Sequence, residues 1–248
     1  MRLAALYDIH GNLPALDAVL QDVRRANVDR VVIGGDILPG PMPHETFNRV
    51  LNLGITTDFV LGNGDRVVLE SIMGSDSSEV PQAFREVIRW NAAQLSDDHR
   101  RVISAWPATT RLTVPGIGEV VFCHATPRND TEIFIRVTPD DVLAPIFAAT
   151  GAALVVCGHT HMQFDRTIGG TRVVNAGSVG MPFGTPGAYW LLLGPDVQLR
   201  HTQYDLEHAA QRIRQTSYPQ AEQFAAHNVL RPPSEEQMLE LFAKAELK

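Results

Sequence analysis

A chain of 248 residues is long enough for one large α/β domain or two small ones, with ample apolar surface for a core. Hydrophobic residues make up 44% of the chain and charged residues 20%, which excludes a disordered protein and is typical of a soluble globular one. The net charge of −7 disfavours general DNA or RNA binding, because proteins that bind nucleic acid non-specifically are normally basic.

Neither a membrane span nor a disulfide is expected. No apolar window approaches the length of a membrane-spanning helix, and the apolar run at the N-terminus is too short for a signal peptide. Cys123 and Cys157 are the only cysteines, and each closes a strand-like run. We expect buried, reduced thiols in a cytoplasmic protein.

The first 65 residues alternate between strand-like and helical patterns. Strands are predicted at residues 2–7, 31–33 and 57–61, where short apolar runs end in glycine and polar residues. Helices are predicted between them, the first capped by Asn12 and the second ended by Gly54. This alternation indicates a parallel β-α-β arrangement.

The pattern changes in the rest of the chain. Residues 66–108 are predicted to form a helical insertion, and residues 111–203 are β-rich with two hairpins and a helix that opens at residues 138–141, with a cap and a proline in its first position. Residues 205–248 are predicted to form a helical C-terminal extension of two helices. We find no linker, so we expect residues 1–248 to form a single domain.

Polar side chains follow five of the predicted strands, at the points where these strands end. Loops at the carboxyl ends of neighbouring strands converge on one crevice, so these side chains are expected to meet. Each has an ordinary explanation by itself, as a helix cap, a turn residue or a core histidine. Together, with glycines beside them, they favour one functional site. They are Asp8, His10, Asp36, Asn63, His124, His159 and His161.

The residue types indicate a metal site. Four imidazoles, two carboxylates and one amide oxygen suit Mn, Fe, Ni or Zn better than the all-oxygen site of Ca²⁺. Seven ligands are too many for one ion and suit two ions that share a carboxylate. Two such ions can clamp a phosphoryl group and lower the pKa of a bridging water.

The motifs D-x-H, G-G-D, G-N-x-D, an isolated His and G-H-x-H occur here in that order. This set resembles the calcineurin-like metallophosphoesterase superfamily, most closely its compact bacterial and archaeal phosphodiesterases, over about residues 1–203. The resemblance implies a four-layer α/β/β/α sandwich of two mixed β-sheets. It also implies a phosphodiesterase in which a metal-bridging hydroxide attacks a small phosphorylated substrate in line.

The resemblance further assigns the ligands. It implies that Asp36 bridges the two ions, that Asn63 also lies close to the substrate phosphate, and that residues 175–178 form a supporting turn. The first ion would be held by Asp8, His10, Asp36 and His161, and the second by Asp36, Asn63, His124 and His159.

One position departs from the family pattern. Many members have a histidine after the motif asparagine, where it protonates the leaving group, and here the residue is Gly64. A general acid is commonly worth about 10²–10⁴-fold, so we expect slow turnover of esters with poor leaving groups. His44 is a candidate substitute acid, or else a surface histidine. Arg66 is the cation expected at the substrate phosphate, or else a surface salt-bridge residue.

Other functions stay open at this stage. The chain could be an interaction scaffold on the same fold, as in the retromer scaffold subunit, which resembles this fold and also lacks that histidine. It could also be a phosphomonoesterase or a protein phosphatase. The apolar residues of the C-terminal extension (Met238, Leu239, Leu241 and Phe242) could pack on their own domain or form a homodimer.

Overall fold

The computed structural model of this chain describes residues 1–75 and 80–247. Within these residues, ten strands form two five-stranded mixed sheets. The strands, in chain order, are β1 (Leu3–Leu6), β2 (Arg30–Ile33), β3 (Thr56–Phe59), β4 (Thr109–Val114), β5 (Gly118–Cys123), β6 (Leu154–Cys157), β7 (Phe164–Ile168), β8 (Thr171–Asn175), β9 (Ala188–Leu193) and β10 (Val197–Thr202).

Helices connect these strands and form the C-terminal part of the chain. None in the described residues is long and apolar enough to cross a membrane. They are α1 (Leu13–Arg25), α2 (Pro43–Leu51), α3 (Asn63–Ile72), α4 (Gln82–Ala93), α5 (Asp97–Ile103), α6 (Asp140–Ala148), α7 (Leu206–Arg214), α8 (Ala221–Phe224, continuing as a π-helix over Ala225–Leu230) and α9 (Glu235–Phe242).

The predicted β-α-β arrangement is confirmed in the first sheet, whose strand order is β10-β9-β1-β2-β3. Strands β1, β2 and β3 are parallel, so their carboxyl ends share one edge of the sheet. In the second sheet, of order β4-β5-β6-β8-β7, strands β5, β6 and β8 are parallel as well. Each sheet therefore directs several strand ends to one edge.

The two sheets pack face to face and form the inner layers of a four-layer sandwich, as predicted. Alternate residues of a strand point to opposite faces. Ala5 and Tyr7 therefore meet Phe122 of the second sheet in the inner core, whereas Ala4 and Leu6 pack against α1 on the outside. Helix α6 covers the outer face of the second sheet through a third cluster.

Local signals explain where α1 begins. The Asn12 side-chain oxygen accepts a hydrogen bond from the backbone N–H of Ala15 (3.2 Å), which satisfies a donor at the start of the helix. Pro14 lies in the first turn, where no backbone N–H is needed. The helix then buries Leu16 and Val19 against β1.

The predicted helical insertion comprises α3, α4 and α5, but α3 begins at Asn63, before the predicted boundary. The C-terminal extension has three helical segments, so the prediction of two helices is wrong. Pro219 separates α7 from α8, and Pro232 with Pro233 separates α8 from α9, because proline cannot continue a helix. The two cysteines are free and buried, as expected.

Candidate metal centre

The seven side chains singled out in the sequence meet at the shared edge of the two sheets. Five of the ten strands contribute to them through the loops that follow. Asp8 and His10 follow β1, Asp36 follows β2, Asn63 follows β3 as the first residue of α3, His124 follows β5, and His159 and His161 follow β6.

Ring nitrogens and carboxylate oxygens face one another at the centre of this cluster. His161 Nε2 lies 3.3 Å from His10 Nε2 and 3.4 Å from Asp8 Oδ1. Asp36 Oδ2 lies 3.5 Å from His124 Nε2 and 3.7 Å from His10 Nε2. Asp36 Oδ2 therefore lies between His10 and His124, which the sequence assigned to different ions. This is the position that a bridging carboxylate requires.

Each of the two carboxylates has one oxygen held by the backbone and one facing the histidines. Asp8 Oδ2 accepts the N–H of His159 (2.9 Å), and Asp36 Oδ1 accepts the N–H of Gly64 (2.7 Å). Asp8 Oδ1 is buried without a hydrogen-bond partner among the described residues. Because burying an unpaired carboxylate oxygen is costly, this arrangement fits a bound cation at that oxygen.

Backbone carbonyls orient three of the histidine rings. His10 Nδ1 faces the carbonyl of Pro39 (3.2 Å), His124 Nδ1 that of Gly34 (3.0 Å), and His161 Nδ1 that of Met181 (2.7 Å). A carbonyl accepts only from a protonated nitrogen, so each neutral ring carries its proton on Nδ1 and offers the Nε2 lone pair to the cluster. This is the usual second contact of metal-binding histidines.

Asn63 and His159 complete the other side of the cluster. One end of the Asn63 carboxamide lies 3.0 Å from both His124 Nε2 and His159 Nδ1. Two ring nitrogens directed at one amide group form the kind of mixed oxygen and nitrogen set that divalent transition metals bind.

The backbone at the ligands adopts a rare conformation. Left-handed φ angles are uncommon outside glycine and strain the chain, and such residues concentrate at functional sites. Five of the seven cluster residues have them, and among the described non-glycine residues only Asn27 is the sixth. The angles are 53° at Asp8, 47° at His10, 55° at Asp36, 67° at His159 and 59° at His161.

The charges of the cluster favour a bound cation. Burial alone would raise the pKa of Asp36, but the charges of His124 and His10 outweigh it and lower that pKa. Burial alone would lower the pKa of His124, but Asp36 and Asp8 outweigh it and raise the pKa to about 10. Burial lowers the pKa of His159 to about 4, so this ring is neutral at pH 7. The two aspartates thus create a site for positive charge.

The turn at residues 175–178 supports the cluster from behind, as the resemblance implied. Ser178 Oγ donates to the carbonyl of Asp8 (2.8 Å), and Asn175 Nδ2 donates to the carbonyl of Gly158 (2.6 Å). These bonds fix the loops that carry Asp8 and the His159–His161 pair.

Gly64 lies where the structure has no room for a side chain. A Cβ atom there would stand 2.3 Å from the carbonyl oxygen of Leu38 and 2.9 Å from Asp36 Oδ1. Both neighbours are fixed, since one is backbone and the other is a cluster carboxylate. A side chain at position 64 would therefore require one of these two neighbours to move.

The remaining candidates have other partners. Arg66 is half-buried, and its guanidinium bonds Asp130 (2.7 and 3.2 Å) and Glu70 (3.0 Å), so the salt-bridge alternative describes its observed contacts. It also lines a cavity of about 330 Å³ beside His124. His44 is exposed on α2, and its ring packs on His99 at 5.2 Å, which supports the alternative of a surface histidine.

Sequence reasoning missed residues that hold the cluster from outside. The Asp65 carboxylate accepts the N–H groups of Asp36 (2.8 Å), Leu38 (3.0 Å) and Gly62 (3.3 Å); its place in the G-N-x-D motif was the available signal. Phe183 stacks on the ring of His161, with 5.3 Å between centroids and 20° between planes. No local pattern marks Phe183, because its contact is long-range.

The helical insertion overhangs the cluster. A cavity of about 250 Å³ opens directly beside Asp36 and Asn63, and its outer wall consists of apolar side chains of the insertion, including Val80, Phe84 and Val87. A ligand bound at the cluster would contact this wall.

Comparisons with known proteins agree with this geometry. The calcineurin-like phosphoesterase superfamily domain matches residues 1–194. The uncharacterised protein MJ0912 of Methanocaldococcus jannaschii is 26% identical over 239 residues, which cover 88% of this chain and 94% of that protein. The crystal structure of a metallophosphoesterase from Sphaerobacter thermophilus has a TM-score of 0.72 and 25% identity, covering 92% of this chain and 100% of that one. The hypothetical protein PH1004 of Pyrococcus horikoshii OT3 has the same fold, with a TM-score of 0.80 and 20% identity, covering 94% of this chain and 99% of that one.

Proposed function

The chain belongs to the calcineurin-like phosphoesterase superfamily, and from this premise we propose that it is a phosphodiesterase dependent on two divalent metal ions. The observation that carries the proposal is the convergence of all seven potential ligands around two carboxylate oxygens that face histidines. When bound, two such ions would supply Lewis-acid activation of water and of the phosphoryl group.

The distances support a division of the ligands between two ions. Asp8, His10 and His161 form one group of mutually close ligand atoms. Asp8, Asp36 and His124 form a second such group. The Asn63 carboxamide, 3.0 Å from both His124 Nε2 and His159 Nδ1, adds Asn63 and His159 to it. Asp36 Oδ2, between His10 and His124, is the atom that both ions would share.

The chain's own residues would position the substrate. Asn63 lines the cavity beside the cluster, where its carboxamide could contact a phosphate as well as a metal. Arg66, held by Asp130, borders the neighbouring cavity on the His124 side and would add positive charge near the phosphate. The role of Arg66 as a phosphate contact is part of the proposal.

The expected preference for good leaving groups rests on Gly64. The position beside the motif asparagine has no proton donor and no space for one. The leaving group must therefore depart without a proton from this position, which disfavours poor leaving groups by about 10²–10⁴-fold. Diesters with acidic alcohol or phenol leaving groups suit such a site.

The metal is expected to be Mn, Fe, Ni or Zn. Imidazole and carboxylate ligands together suit these borderline metals, and His159 and the Nε2 atoms of the other three histidines supply four nitrogen donors. We propose manganese as the first metal to test.

The experiment compares hydrolysis of bis-p-nitrophenyl phosphate and p-nitrophenyl phosphate by the full chain with Mn²⁺, Ni²⁺, Zn²⁺ or Mg²⁺. We expect diester cleavage that requires a transition metal and exceeds monoester cleavage. His159→Ala should abolish it, whereas His208→Ala, a change at an exposed histidine of α7, should not. A protein that binds two metals and cleaves neither ester would contradict the proposal.

A further inference from the structure

A second cavity, of about 310 Å³, lies beside the metal cluster between α4 and the C-terminal helices. It shares four lining residues with the cavity over the cluster: His10, Pro39, Phe84 and Val87. The two cavities therefore meet at this common wall and form one cleft that leads outward from the metal ligands. Their sizes are near the lower end of the range of about 300–1,000 Å³ that small-molecule sites occupy.

One wall of the outer cavity comes from a part of the chain that the matched family domain does not include. The matched domain ends at residue 194, but the far wall is formed by residues 218–233 from α8 and its flanking turns. Part of this wall is the π-helix that continues α8, a distortion that is frequent at functional sites. The shape of this cleft therefore depends on the C-terminal extension as well as on the matched domain.

The wall of the outer cavity is mostly apolar. Its polar side chains are three carboxamides, the Tyr218 phenol and the imidazoles of His10 and His227, and no carboxylate, ammonium or guanidinium group lines it among the described residues. Three carboxamides line it: Gln220, Gln223 and Asn228. None of these side chains has a hydrogen-bond partner among the described residues, so all three can donate to a ligand and accept from it.

Phe84 adds an aromatic surface to the same cleft. It lines both cavities, and 51% of its surface is exposed, so its ring is accessible to a ligand in the cleft. A planar aromatic ring of a ligand could stack on Phe84 and cover this surface. Val87 and Phe224 provide further apolar contacts.

We propose that this cleft binds the nucleoside arm of a phosphodiester whose phosphate lies at the metal cluster. A nucleobase is a neutral aromatic ring with donors and acceptors on its edge, so it can stack on a phenylalanine and pair with carboxamides. A second charged group would meet no carboxylate, ammonium or guanidinium group among the described residues of the outer cavity, only the exposed imidazole of His227, and an aliphatic arm would cover the carboxamides without pairing them. The proposal rests on the proposed function only for the placement of the phosphate.

The test is calorimetric titration of the full-length, Mn²⁺-loaded protein with adenosine 5′-monophosphate and with ribose 5-phosphate. The two ligands share the sugar and the phosphate, so their difference in affinity reports the base. We expect the nucleotide to bind at least about 10-fold more tightly, since one base stacked on an aromatic ring has an effect of this size.

Variants locate the effect in the cleft. Phe84→Ala should bring the affinities for the two ligands to within about twofold, whereas Phe84→Trp should keep the wild-type difference in affinity. The double change Gln223→Ala with Asn228→Ala should reduce this difference. The matched controls are Leu199→Ala and Gln211→Ala, at exposed positions on β10 and α7. They should leave the difference in affinity between the two ligands unchanged.

Equal affinities of the two ligands in the wild-type protein would overturn the proposal. A Phe84→Ala change that weakens both ligands equally would overturn it too. Because binding is measured without turnover, a protein that discriminates the ligands but hydrolyses no diester would refute only the proposed function. A protein that hydrolyses diesters but binds both ligands equally would refute only the nucleoside site.

Discussion

Asp8 Oδ1 lies 3.4 Å from His161 Nε2, although 153 positions of the chain separate the two residues, and this buried oxygen has no hydrogen bond among the described residues. The other oxygen of Asp8 is held by the N–H of His159, so the carboxylate cannot turn away. Two fixed ligand atoms, one anionic and one with a lone pair, define a point where a cation would join them.

Replacing the Asp8 carboxylate should reduce the stability that the protein gains from bound metal. Mn²⁺ at about 100 times its Kd stabilises a protein by about 2.7 kcal/mol if it binds only the folded state. We expect Asp8→Asn to lose most of this gain, because the neutral amide is a much weaker ligand, while its oxygen can still accept from His159. Thermal unfolding of the wild type and the variant, with and without Mn²⁺, measures this stabilisation. Asp97→Asn, at an exposed aspartate of α5, should keep the full gain; an equal gain in Asp8→Asn would contradict the assignment.

Restoring a side chain at position 64 should damage the site and not improve it. In Gly64→Ala the new methyl group must displace the Leu38 carbonyl or the Asp36 carboxylate, so we expect bound metal to fall below two ions per chain. Gly64→His should show the same loss and gain no monoesterase activity. Elemental analysis of dialysed protein measures the metal content.

Gly74→Ala is the control for this experiment. A Cβ at Gly74 meets no atom of the described residues within 4 Å, but its φ of 81° strains a side chain. It should lower stability by about 1 kcal/mol and retain both metals. A Gly64→His protein that keeps two metal ions and cleaves monoesters rapidly would contradict the prediction. It would show that the backbone around position 64 can move to accept a side chain.

The C-terminal helix should influence metal affinity through an aromatic chain of contacts. Phe242 on α9 lies 6.1 Å from Phe183, which stacks on His161. We expect Phe183→Ala to weaken metal binding about 10-fold, the lower end of the effect of removing groups that orient metal ligands, and Phe242→Ala to have a smaller effect in the same direction. Leu241→Ala, at the 54%-exposed neighbour of Phe242, is the control. Competition with a chelator measures the metal affinity of each variant. Equal metal affinities in all three variants would show that the aromatic contacts do not influence metal binding.

The insertion should lose stability in mild acid because of His99. Burial and the nearby His44 lower the pKa of His99. Its Nδ1 accepts the N–H of Ser96 (3.4 Å), and its Nε2–H donates to Asn48 (3.2 Å), so a second proton would break the cap of α5. A lowered pKa in the folded state means that stability is present above the unfolded value of about 6.5 and is lost as the pH falls below it.

His99→Gln should remove this dependence, because glutamine at the third position of a capping box accepts the same N–H at any pH. The Tm of the wild type should therefore fall relative to that of the variant between pH 7 and pH 5. Both proteins carry the same metal ligands, so metal loss in acid cancels in the comparison. A difference in Tm that stays constant over this range would show that His99 does not titrate as described.

The cluster was predictable because its members share a local rule. Each follows a strand, all but His124 with glycine nearby, and the parallel order of β1, β2 and β3 brings the ends of these three strands to one edge without knowledge of distant contacts. The same reasoning could not place Arg66 against Asp130, 64 positions away, or His44 against His99. Those pairings depend on how the insertion folds back over the sheet.

The outer cleft was still less accessible to sequence reasoning. The tail sequence predicted helices, but which of their faces would oppose Phe84 depends on the two proline breaks and the π-helix that continues α8. Both features shift the register of the helical surface, so periodicity alone does not identify Gln223 and Asn228 as neighbours of the cluster. Tertiary packing determined this part of the site.

The most direct test of the dinuclear phosphodiesterase is a titration of metal-free protein with Mn²⁺, with hydrolysis of bis-p-nitrophenyl phosphate measured at each step. We predict that activity rises to a plateau near two equivalents and is absent throughout in His159→Ala. A plateau at one equivalent, or two bound ions without hydrolysis, would contradict it.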